Sequence, residues 1–423
     1  GSLLLGYYEG DNFVYAGRVG TGFNTETARS LYRTLKALKR SHMPYTKYSE
    51  AGRRGTGWKR GVVWVEPKLV CEVEFTEWTE EGALRHPSFQ GLREDKPATS
   101  ISRDVPMAAK KTTTSPAPES KSSDKKAMVG GIGISHPDRV LYPGTGITKQ
   151  QLAEYYDTVA DYLLPHVKNR PLSMVRCPEG TEKECFFQRH IARGQSPYLH
   201  DTGIAVKGRN EDYLMSKDAN GLITLIQWGV IELHPWGCLA DKPQLPDRMI
   251  FDLDPDPAVP FSHVIEGAKE VRTRMKELGL ESFVKTTGGK GLHVVIPMTR
   301  AYGWDTIKSF THAIADSMQK DNPKRYIAKA SKAARKGKIF VDYLRNDLTA
   351  TSVAAFSARA REGAPVALPI AWEALKASLQ PRAFTIETVP SLLDKRKNDP
   401  WADFFTIKQK ISARHLRALR IKM

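Results

Sequence analysis

Residues 97–130 constrain the fold most, because they contain almost nothing from which a hydrophobic core could be built. Pro, Ala, Ser, Thr and Lys dominate this stretch, and Lys110-Lys111-Thr112-Thr113-Thr114-Ser115-Pro116 is typical of it. A segment with so little apolar surface cannot offset the conformational entropy that ordering would cost, so it is predicted to be a flexible linker. The chain is therefore expected to be a multidomain protein, with one domain at residues 1–96 and another at residues 131–423.

The first domain, residues 1–96, is predicted to be a small β-barrel of the OB-fold type. Its opening residues contain a hairpin pattern, in which Glu9-Gly10-Asp11-Asn12 separates two runs that favour strands. Several short strands accompanied by one helix are typical of a small barrel. The predicted elements are strands Leu3–Tyr8, Phe13–Val19, Val62–Val65 and Leu69–Phe75, and a capped helix that begins at Asn24.

The second domain, residues 131–423, mixes helices and strands. The predicted helices are Thr148–Leu164, Phe261–Leu278 and Asp305–Gln319, and the predicted strands are Met249–Asp254, Ser282–Lys285, Leu292–Pro297 and Lys338–Tyr343.

The balance of charge indicates a polyanionic partner. The 423 residues carry 64 Lys and Arg against 47 Asp and Glu, which gives a formal net charge of +17. An excess of this size most often means that a protein binds nucleic acid. Charge that serves only solubility is the alternative.

Cysteine usage and hydropathy bear on the compartment. The four cysteines, Cys71, Cys177, Cys185 and Cys238, are scattered and include no C-x-x-C pair, which argues against zinc and against a disulfide framework and fits a reducing compartment. No run approaches the roughly 18 uninterrupted apolar residues of a membrane span. No secretory signal opens the chain either, so no membrane partner is expected.

An apolar run that ends in two carboxylates lies at Met249-Ile250-Phe251-Asp252-Leu253-Asp254-Pro255-Asp256. Successive side chains of a strand point to opposite faces, so Asp252 and Asp254 share one face while Leu253 faces the core. Two neighbouring acids at the end of a buried strand repel each other unless a cation lies between them, which predicts a divalent-metal site. A solvated strand end is the alternative, because acids beside proline are common in turns.

A third acid comes from a second apolar strand, Lys338-Ile339-Phe340-Val341-Asp342-Tyr343. Three acids from two strands can hold two divalent ions that orient a 3′-hydroxyl and a triphosphate. Taken alone, Asp342 fits an ordinary strand-end acid equally well.

A glycine-rich segment, Lys285-Thr286-Thr287-Gly288-Gly289-Lys290-Gly291-Leu292-His293, lies between the two acidic strands. Its glycines, Gly289 and Gly291 among them, allow a phosphate to approach the backbone closely. Thr287, Lys290 and His293 offer side-chain donors. The segment lacks the spacing of a Walker A loop, and a glycine-rich hairpin is the alternative.

Other segments carry aromatic and cationic residues that suit nucleic acid or phosphate. Phe186-Phe187-Gln188-Arg189 places two aromatic residues near a cation, which suits base stacking and a phosphate contact. The alternative is that the aromatic residues pack in the core. His234 precedes a Pro-aromatic turn and is a candidate for such a contact. The alternative is that this histidine has a structural role. Further cations in loop-like settings are Arg139, Lys149 and Arg359.

Taken together and in order, these segments resemble the polymerase domain of bacterial DNA ligase D, a member of the archaeo-eukaryotic primase superfamily. The resemblance spans roughly residues 131–415. It implies an α+β primase-polymerase domain with an RRM-like catalytic sheet. The matching stretches are His136-Pro137-Asp138-Arg139-Val140-Leu141-Tyr142-Pro143, Asn169-Arg170-Pro171, Phe186-Phe187, Leu233-His234-Pro235-Trp236, Phe251-Asp252-Leu253-Asp254-Pro255, Thr287-Gly288-Gly289-Lys290-Gly291-Leu292-His293, Phe340-Val341-Asp342 and Asp399-Pro400-Trp401-Ala402.

The resemblance also implies a role for each matching residue. Asp252, Asp254 and Asp342 would be the catalytic, metal-binding acids, with Asp342 nearest the primer 3′-hydroxyl. Arg139 and Lys149 would hold a 5′-phosphate on the downstream strand. Phe186 and Phe187, beside Arg189, would stack on the template. The incoming nucleotide would be contacted by His234, Thr287, Gly289, Lys290, Gly291, His293 and Arg359.

The first domain resembles the C-terminal OB domain of an ATP-dependent DNA ligase. The segment that carries this resemblance is Leu84-Arg85-His86-Pro87-Ser88-Phe89-Gln90-Gly91-Leu92-Arg93-Glu94-Asp95-Lys96. Arg93 and Lys96 belong to its terminal Arg-x-Asp-Lys, which is similar to the ligase motif that contacts the triphosphate, and a charged helix cap is the alternative. No K-x-D-G, the motif of the adenylated lysine, occurs in the 423 residues. We therefore expect a fragment, with half a ligase module and a complete polymerase, that does not ligate alone.

The function implied is template-directed polymerisation in the bacterial cytoplasm, at the nucleoid. The enzyme would fill gaps and extend ends during non-homologous end joining, with the Ku protein as a partner and DNA ends or gapped DNA with a downstream 5′-phosphate as substrates. It would prefer ribonucleotides over deoxyribonucleotides and depend on Mn²⁺. The carboxylates alone do not distinguish Mn²⁺ from Mg²⁺.

Three other classes of function share parts of this pattern. A two-metal nuclease also needs clustered acids and a basic surface, but it would not depend on a nucleoside triphosphate. A glycosyltransferase can bind manganese and a nucleotide-sugar through Asp-x-Asp, which leaves the basic excess unexplained. A non-catalytic DNA-end-binding module would use the acids for structure alone.

Overall fold

The computed structural model describes residues 2–21, 31–32, 34–46, 61–75, 79, 82–85, 87–93, 98–101, 127–183, 185–189, 196–206, 209–210, 213–329, 331–419 and 421. The chain divides into two compact units, Gly1–Glu119 and Ser120–Met423. Within the stretch predicted to be a linker, a 3-10 turn forms at Ala98–Ser100 and a strand at Ala127–Val129. The domain bounds drawn from composition remain a prediction.

The described residues of the first unit form two antiparallel strand pairs. The predicted hairpin is confirmed, because the strands on either side of Gly10 pair from Leu3↔Val19 to Glu9↔Asn12, and Gly10 takes the positive φ of +60° that its turn requires. Its core is formed by residues such as Tyr7 and Val14. The strands are β1 (Leu3–Glu9), β2 (Asn12–Val19), β3 (Val70–Glu74) and β4 (Ser88–Arg93), with β1 paired to β2 and β3 to β4.

For the first unit, one predicted strand is absent and one predicted helix lies only partly within the described residues. The strand predicted at Val62–Val65 is wrong, since only Val65 forms a bridge, with Lys39. Val63 is 61% exposed, so this run buries too little apolar surface to be held in a sheet. The helix predicted from Asn24 begins outside the described residues, and residues 31–32 and 34–36 are helical. Arg93 ends β4, whereas Lys96 lies outside the described residues.

The second unit contains several sheets and the helices that pack on them. Its strands are β5 (Ala127–Val129), β6 (Ile132–Ile134), β7 (Val140–Tyr142), β8 (Ile147–Thr148), β9 (Leu172–Arg176), β10 (Phe186–Gln188), β11 (Leu199–Asp201), β12 (Ala205–Val206), β13 (Arg209–Asn210), β14 (Leu214–Ser216), β15 (Val230–Pro235), β16 (Arg248–Pro255), β17 (Phe283–Thr286), β18 (Leu292–Pro297), β19 (Tyr326–Ile327), β20 (Ile339–Asp342) and β21 (Pro369–Ile370). Its helices are α1 (Lys149–Thr158), α2 (Ala160–Val167), α3 (Ala219–Gln227), α4 (Phe261–Glu277), α5 (Trp304–Asp321), α6 (Val389–Asp394) and α7 (Ala413–Ala418).

A six-stranded sheet in the order β19-β20-β16-β18-β17-β21 forms the centre of this unit. The pairs are antiparallel except β19–β20. Helices α4 and α5 lie side by side, joined by Arg274, which donates to Asp321 at 2.6 Å and to Ser317 at 2.8 Å. Leu253 of β16 faces α4, where a Cβ at Gly267 would be 3.6 Å from its Cδ1. Because side chains alternate along a strand, Asp252 and Asp254 lie on the opposite face.

A five-stranded sheet carries the aromatic segment. Its strands run β10-β9-β14-β11, and β15 also pairs with β9. The predicted helix Thr148–Leu164 is correct in place but is divided into α1 and α2 at Val159, whose N–H donates to Tyr155 O at 3.0 Å. Thr148 and Gln151 form a capping box that begins α1.

Cys177 and Cys185 form a disulfide, with a Cα–Cα distance of 4.4 Å. The expectation drawn from cysteine spacing is therefore wrong for this pair. The reason is strand register: Arg176, the last residue of β9, lies opposite Phe186, the first residue of β10, so the cysteines that flank this pair face each other. Cys71 and Cys238 are free.

Candidate active site

A row of four polar residues crosses the six-stranded sheet on the face away from α4 and α5. Asp252 lies directly opposite Asp342 on one side and His293 on the other, and His293 lies opposite Lys285. Asp254 is two residues further along β16 and so shares this face. Asp252, Asp342, His293 and Lys285 are all buried. The fold thus brings the three predicted acids to one face.

Cationic side chains balance the acids. Arg345 Nε lies 3.1 Å from Asp252 Oδ2 and 3.3 Å from Asp342 Oδ2, so one guanidinium bridges the two carboxylates. Asp254 pairs with Arg335 at 3.2 Å and with Lys290 at 3.4 Å. Without these partners, carboxylates this close and this buried would repel each other strongly.

The environment separates the pKa values of the two opposed acids. Burial, with the charge of Asp252, raises the pKa of Asp342 to about 6, although Arg345 opposes the rise. Burial also acts to raise the pKa of Asp252, but His293 and Arg345 outweigh it and hold that pKa well below its usual range. Burial, with Lys285 beside it, lowers the pKa of His293 to about 4. Such opposed shifts in one place are typical of functional sites.

The glycine-rich segment between β17 and β18 closes on itself. Thr287 Oγ1 donates to Gly291 O at 3.0 Å and accepts from Gly289 N at 3.2 Å. Lys290 Nζ donates to Pro255 O at 2.6 Å, which holds its ammonium beside Asp254. A Cβ at Gly291 would lie 2.3 Å from Leu253 O, so this glycine allows the loop to pack against β16.

Arg359 joins this loop to strand β15. Its guanidinium donates to Thr287 O through Nη1, and its Nε lies 3.0 Å from Glu232 Oε2. The same Glu232 oxygen lies 2.8 Å from His234 Nε2. His234 in turn contacts Phe187, with ring centroids 5.7 Å apart. Three predicted nucleotide-binding residues, Thr287, Arg359 and His234, therefore form a group that is connected through Glu232 and extends to Phe187, a predicted template-stacking residue.

The aromatic segment presents two rings to solvent. Phe186 is 41% exposed and Phe187 is 47% exposed, so core packing does not account for either ring. A guanidinium lies against each of them, Arg176 at 5.4 Å from the Phe186 centroid and Arg189 at 5.8 Å from the Phe187 centroid. Exposed rings beside cations can stack on bases and contact phosphates.

Arg139 and Lys149 lie together at the start of α1, where Lys149 N donates to Arg139 O at 2.8 Å. The Lys149 ammonium is buried and donates to Ser135 O at 3.1 Å and Gln227 Oε1 at 2.8 Å. Burial, and then the charge of Arg139, lower the pKa of Lys149 to about 8. A third ammonium proton remains for a ligand.

Four residues of this site were missed by reasoning from the sequence: Glu232, Lys285, Arg335 and Arg345. Each is a common charged residue whose importance depends on its partner across the fold. A weak signal existed for Glu232, because it lies two residues before His234 and so shares a strand face with it.

The donor set fits a divalent cation in its chemistry. Carboxylate oxygens are the ligands that Mg²⁺ and Mn²⁺ prefer, and two of the three acids are direct neighbours across the sheet. Within the described ranges, however, no three His, Cys, Asp or Glu side chains form a ready metal site. The acids are paired instead with Arg335, Arg345 and Lys290. None of the helices described is long and apolar enough to cross a membrane.

Both parts of the chain are similar to known protein families. Residues 148–401 match the profile of the LigD primase-polymerase domain. Residues 1–96 match the C-terminal region of ATP-dependent DNA ligases, in agreement with the predicted OB-type domain. The fold of the second unit resembles the polymerase domain of Mycobacterium tuberculosis Ligase D in complex with DNA, with a TM-score of 0.60, 27% identity, and coverage of 65% of this chain and 98% of that one.

Curated relatives cover the chain as well. It is 38% identical over 423 residues to the multifunctional non-homologous end joining protein LigD of Pseudomonas aeruginosa, which covers 99% of this chain and 50% of that protein. It is 33% identical over 244 residues to the protein of the same description from Mycolicibacterium smegmatis, covering 57% of this chain and 32% of the relative. The chain thus spans half or less of these relatives. By the extent of these matches, it belongs to the LigD primase-polymerase family.

Proposed function

We propose that this chain is a DNA-directed nucleotidyltransferase that extends a primer strand on a DNA template. The observation that carries the proposal is the position of Asp252, Asp254 and Asp342 on one face of the sheet, beside the Thr287–Gly291 loop. Acids that can hold divalent cations therefore lie beside a loop suited to phosphate. Membership of the LigD primase-polymerase family supports the same reaction class.

In this proposal Asp252, Asp254 and Asp342 hold divalent cations, Mn²⁺ or Mg²⁺. When bound, such ions supply charge stabilisation to a nucleotidyl transfer and lower the pKa of an attacking hydroxyl. Arg335 and Arg345 neutralise the acids in the protein alone. Asp342 is the acid expected nearest the primer 3′-hydroxyl, where it would hold a cation that acts on this hydroxyl.

The nucleotide triphosphate is proposed to bind along the loop and its cationic border. Lys290 places positive charge beside Asp254, and Arg359 places positive charge against the loop at Thr287. Donors held in place by other contacts stabilise charge on a leaving pyrophosphate without reorganisation. The remaining predicted contacts are Thr287, Gly289, Gly291, His234 and His293.

The DNA is proposed to contact two further regions. Phe186 and Phe187 offer exposed rings to template bases, with Arg189 beside them. Arg139 and Lys149 form a small cationic site that suits a downstream 5′-phosphate. The net charge of +17 favours binding to DNA in general.

The wider role is gap filling and end extension in bacterial non-homologous end joining, with the Ku protein as a partner and ribonucleotides preferred. Support comes from relatives that are described as non-homologous end joining proteins. Ligation by these 423 residues alone is not expected, since no K-x-D-G motif occurs among them.

The deciding experiment is extension of a gapped primer–template that carries a downstream 5′-phosphate. Ribo- and deoxyribonucleotides are supplied separately, each with Mn²⁺ or Mg²⁺. We expect template-directed extension, faster with ribonucleotides and Mn²⁺, and none by Asp254→Ala. Full activity in Asp254→Ala, or no extension by the unaltered chain, would refute the polymerase proposal.

Two parallel reactions test the nuclease alternative and the expectation that this chain does not ligate. Strand cleavage without nucleoside triphosphate would indicate a nuclease instead. Incubation of a nicked duplex with ATP tests ligation, and sealing of the nick would contradict the expectation that this chain does not ligate.

A further inference from the structure

Glu232 lies at the junction of the nucleotide-binding group, although no motif in the sequence marks it. Its Oε1 accepts from Ala360 N at 2.8 Å, and its Oε2 lies 2.8 Å from His234 Nε2 and 3.0 Å from Arg359 Nε. The side chain is only 6% exposed. One buried carboxylate thus holds two side chains that the proposed function places against the triphosphate.

The surroundings keep this carboxylate ionised. Burial by itself would raise the pKa of Glu232, but the hydrogen bond from His234 and the charge of Arg359 lower it to about 2. Tyr142 packs nearby and donates to Arg359 O at 3.0 Å, and Tyr156 donates to Ile231 O at 2.6 Å. Both hydroxyl groups are therefore directed to backbone carbonyls, and the carboxylate of Glu232 is available to Arg359 and His234.

We propose that Glu232 is a positioning residue for the incoming triphosphate, because it fixes Arg359 and engages His234 through Nε2 so that Nδ1 is left for a phosphate oxygen. This inference rests on the proposed function. Arg359 is held from two sides, by an ion pair with Glu232 and by a hydrogen bond from Nη1 to Thr287 O. A guanidinium held in this way loses little freedom when a phosphate binds.

Contact between His234 and a phosphate oxygen requires a change in the protonation of the imidazole. An imidazole that donates from Nε2 to a carboxylate has a lone pair at Nδ1 when it is neutral, and a phosphate oxygen can only accept. Binding of the triphosphate therefore requires His234 to take up one proton at Nδ1, and Glu232 stabilises the imidazolium that results.

The charges around His234 explain why this proton is absent before the nucleotide binds. Burial, and the charges of Arg359 and Arg345, lower the pKa of His234, while the hydrogen bond to Glu232 and its charge raise it. The Phe187 ring covers one side of the imidazole and carries no charge. Together these effects place the pKa of His234 below its ordinary value, so its imidazole is neutral in the free site. A bound polyanion shifts the imidazole toward its charged form.

The test compares the full chain with Glu232→Gln, which keeps the shape and removes the charge. Proton uptake on binding of a ribonucleoside triphosphate is measured by calorimetry in two buffers with different ionisation enthalpies. Nucleotide KM and kcat for gap filling are measured from pH 6 to 9. We expect Glu232→Gln to lose the proton uptake and to raise the nucleotide KM by about 10- to 100-fold with a smaller change in kcat.

Controls separate positioning from folding and from the proposed function. Glu277→Gln alters an exposed carboxylate at the end of α4, on the other side of the sheet, and should behave like the unaltered chain. If Glu232→Gln does not fold, Glu232→Asp is measured instead, because it keeps the negative charge but has a shorter side chain. Proton uptake should then persist while the nucleotide KM rises. Unaltered KM and proton uptake in the Glu232 variant that folds would overturn the inference, whereas lack of extension by the unaltered chain would overturn the proposed function itself.

Discussion

Asp252 and Asp342 lie directly opposite each other on strands β16 and β20, and the guanidinium of Arg345 bridges their carboxylates at 3.1 Å and 3.3 Å. Strand register creates this pair, since the two acids are 90 residues apart in the sequence and belong to different apolar runs. The positive charge of Arg345 thus offsets the repulsion between the two carboxylates. Their arrangement determines how the protein should respond to metal.

Asp342→Asn should remove the response to metal without unfolding the protein. The substitution removes one of two buried negative charges that repel each other. The melting temperature of the metal-free chain should therefore stay the same or rise, by about 2 °C for each kcal/mol gained in the free energy of unfolding. Mn²⁺ should raise the melting temperature of the unaltered chain and leave that of Asp342→Asn unchanged. Thermal melts with and without Mn²⁺ check this, and an equal rise in both proteins would contradict it.

Recognition of a downstream 5′-phosphate should weaken as the pH rises through about 8. Lys149 has a pKa lowered to about 8, and only its protonated ammonium donates to phosphate, so affinity is present below this pH and lost above it. The effect on folding has the opposite sign, because a neutral lysine costs less to bury. Affinities for gapped duplexes with and without the 5′-phosphate, from pH 7 to 9.5, should differ by about 10-fold at the low end and converge at the high end.

Lys149→Gln provides the matched variant for that measurement. It should show little preference for the phosphorylated duplex at any pH, while its affinity for the duplex without phosphate should match that of the unaltered chain. A preference that persists at pH 9.5, or in Lys149→Gln, would show that Lys149 does not hold the phosphate.

Two glycines of the same loop should respond differently to alanine. Gly291→Ala places a Cβ 2.3 Å from the backbone oxygen Leu253 O, which forces the loop away from β16 and should cost about 1–3 kcal/mol of stability. Gly289→Ala meets its nearest neighbour, the side-chain oxygen Thr287 Oγ1, at 3.3 Å, so the fold should tolerate it. We expect a lower melting temperature for Gly291→Ala and a raised nucleotide KM with an unchanged melting temperature for Gly289→Ala. Equal melting temperatures of the two variants would contradict the packing role of Gly291.

Reduction of the Cys177–Cys185 disulfide should destabilise the segment that presents Phe186. In the chain-entropy account, a cross-link that closes a loop of this length contributes about 2–3 kcal/mol, and the bond lies directly before β10. Melting with and without dithiothreitol should show a lower temperature in the reductant. The double substitution Cys177→Ala with Cys185→Ala is the control, on which the reductant should have no effect; identical melts of the unaltered chain in both conditions would exclude a stabilising disulfide.

Local pattern was enough to predict most elements of the second unit. The strand predicted at Leu292–Pro297 matches β18, and those predicted at Met249–Asp254 and Lys338–Tyr343 differ from β16 and β20 by one residue at each end. Short apolar runs with a defined end are local signals that need no knowledge of partners. The division of the helix at Val159 was missed because the apolar spacing continues through it.

The residue types available to the site follow from the amino-acid sequence: three carboxylates at strand ends, a glycine loop with a lysine, and an excess of positive charge. Which of these groups contact one another follows only from the three-dimensional fold. Register placed Asp342, Asp252, His293 and Lys285 in one row and brought Cys177 to Cys185, and long-range packing joined Glu232 to Arg359. Secondary structure follows local periodicity, but pairing depends on burial and charge compensation between segments far apart in the chain, which no local pattern records.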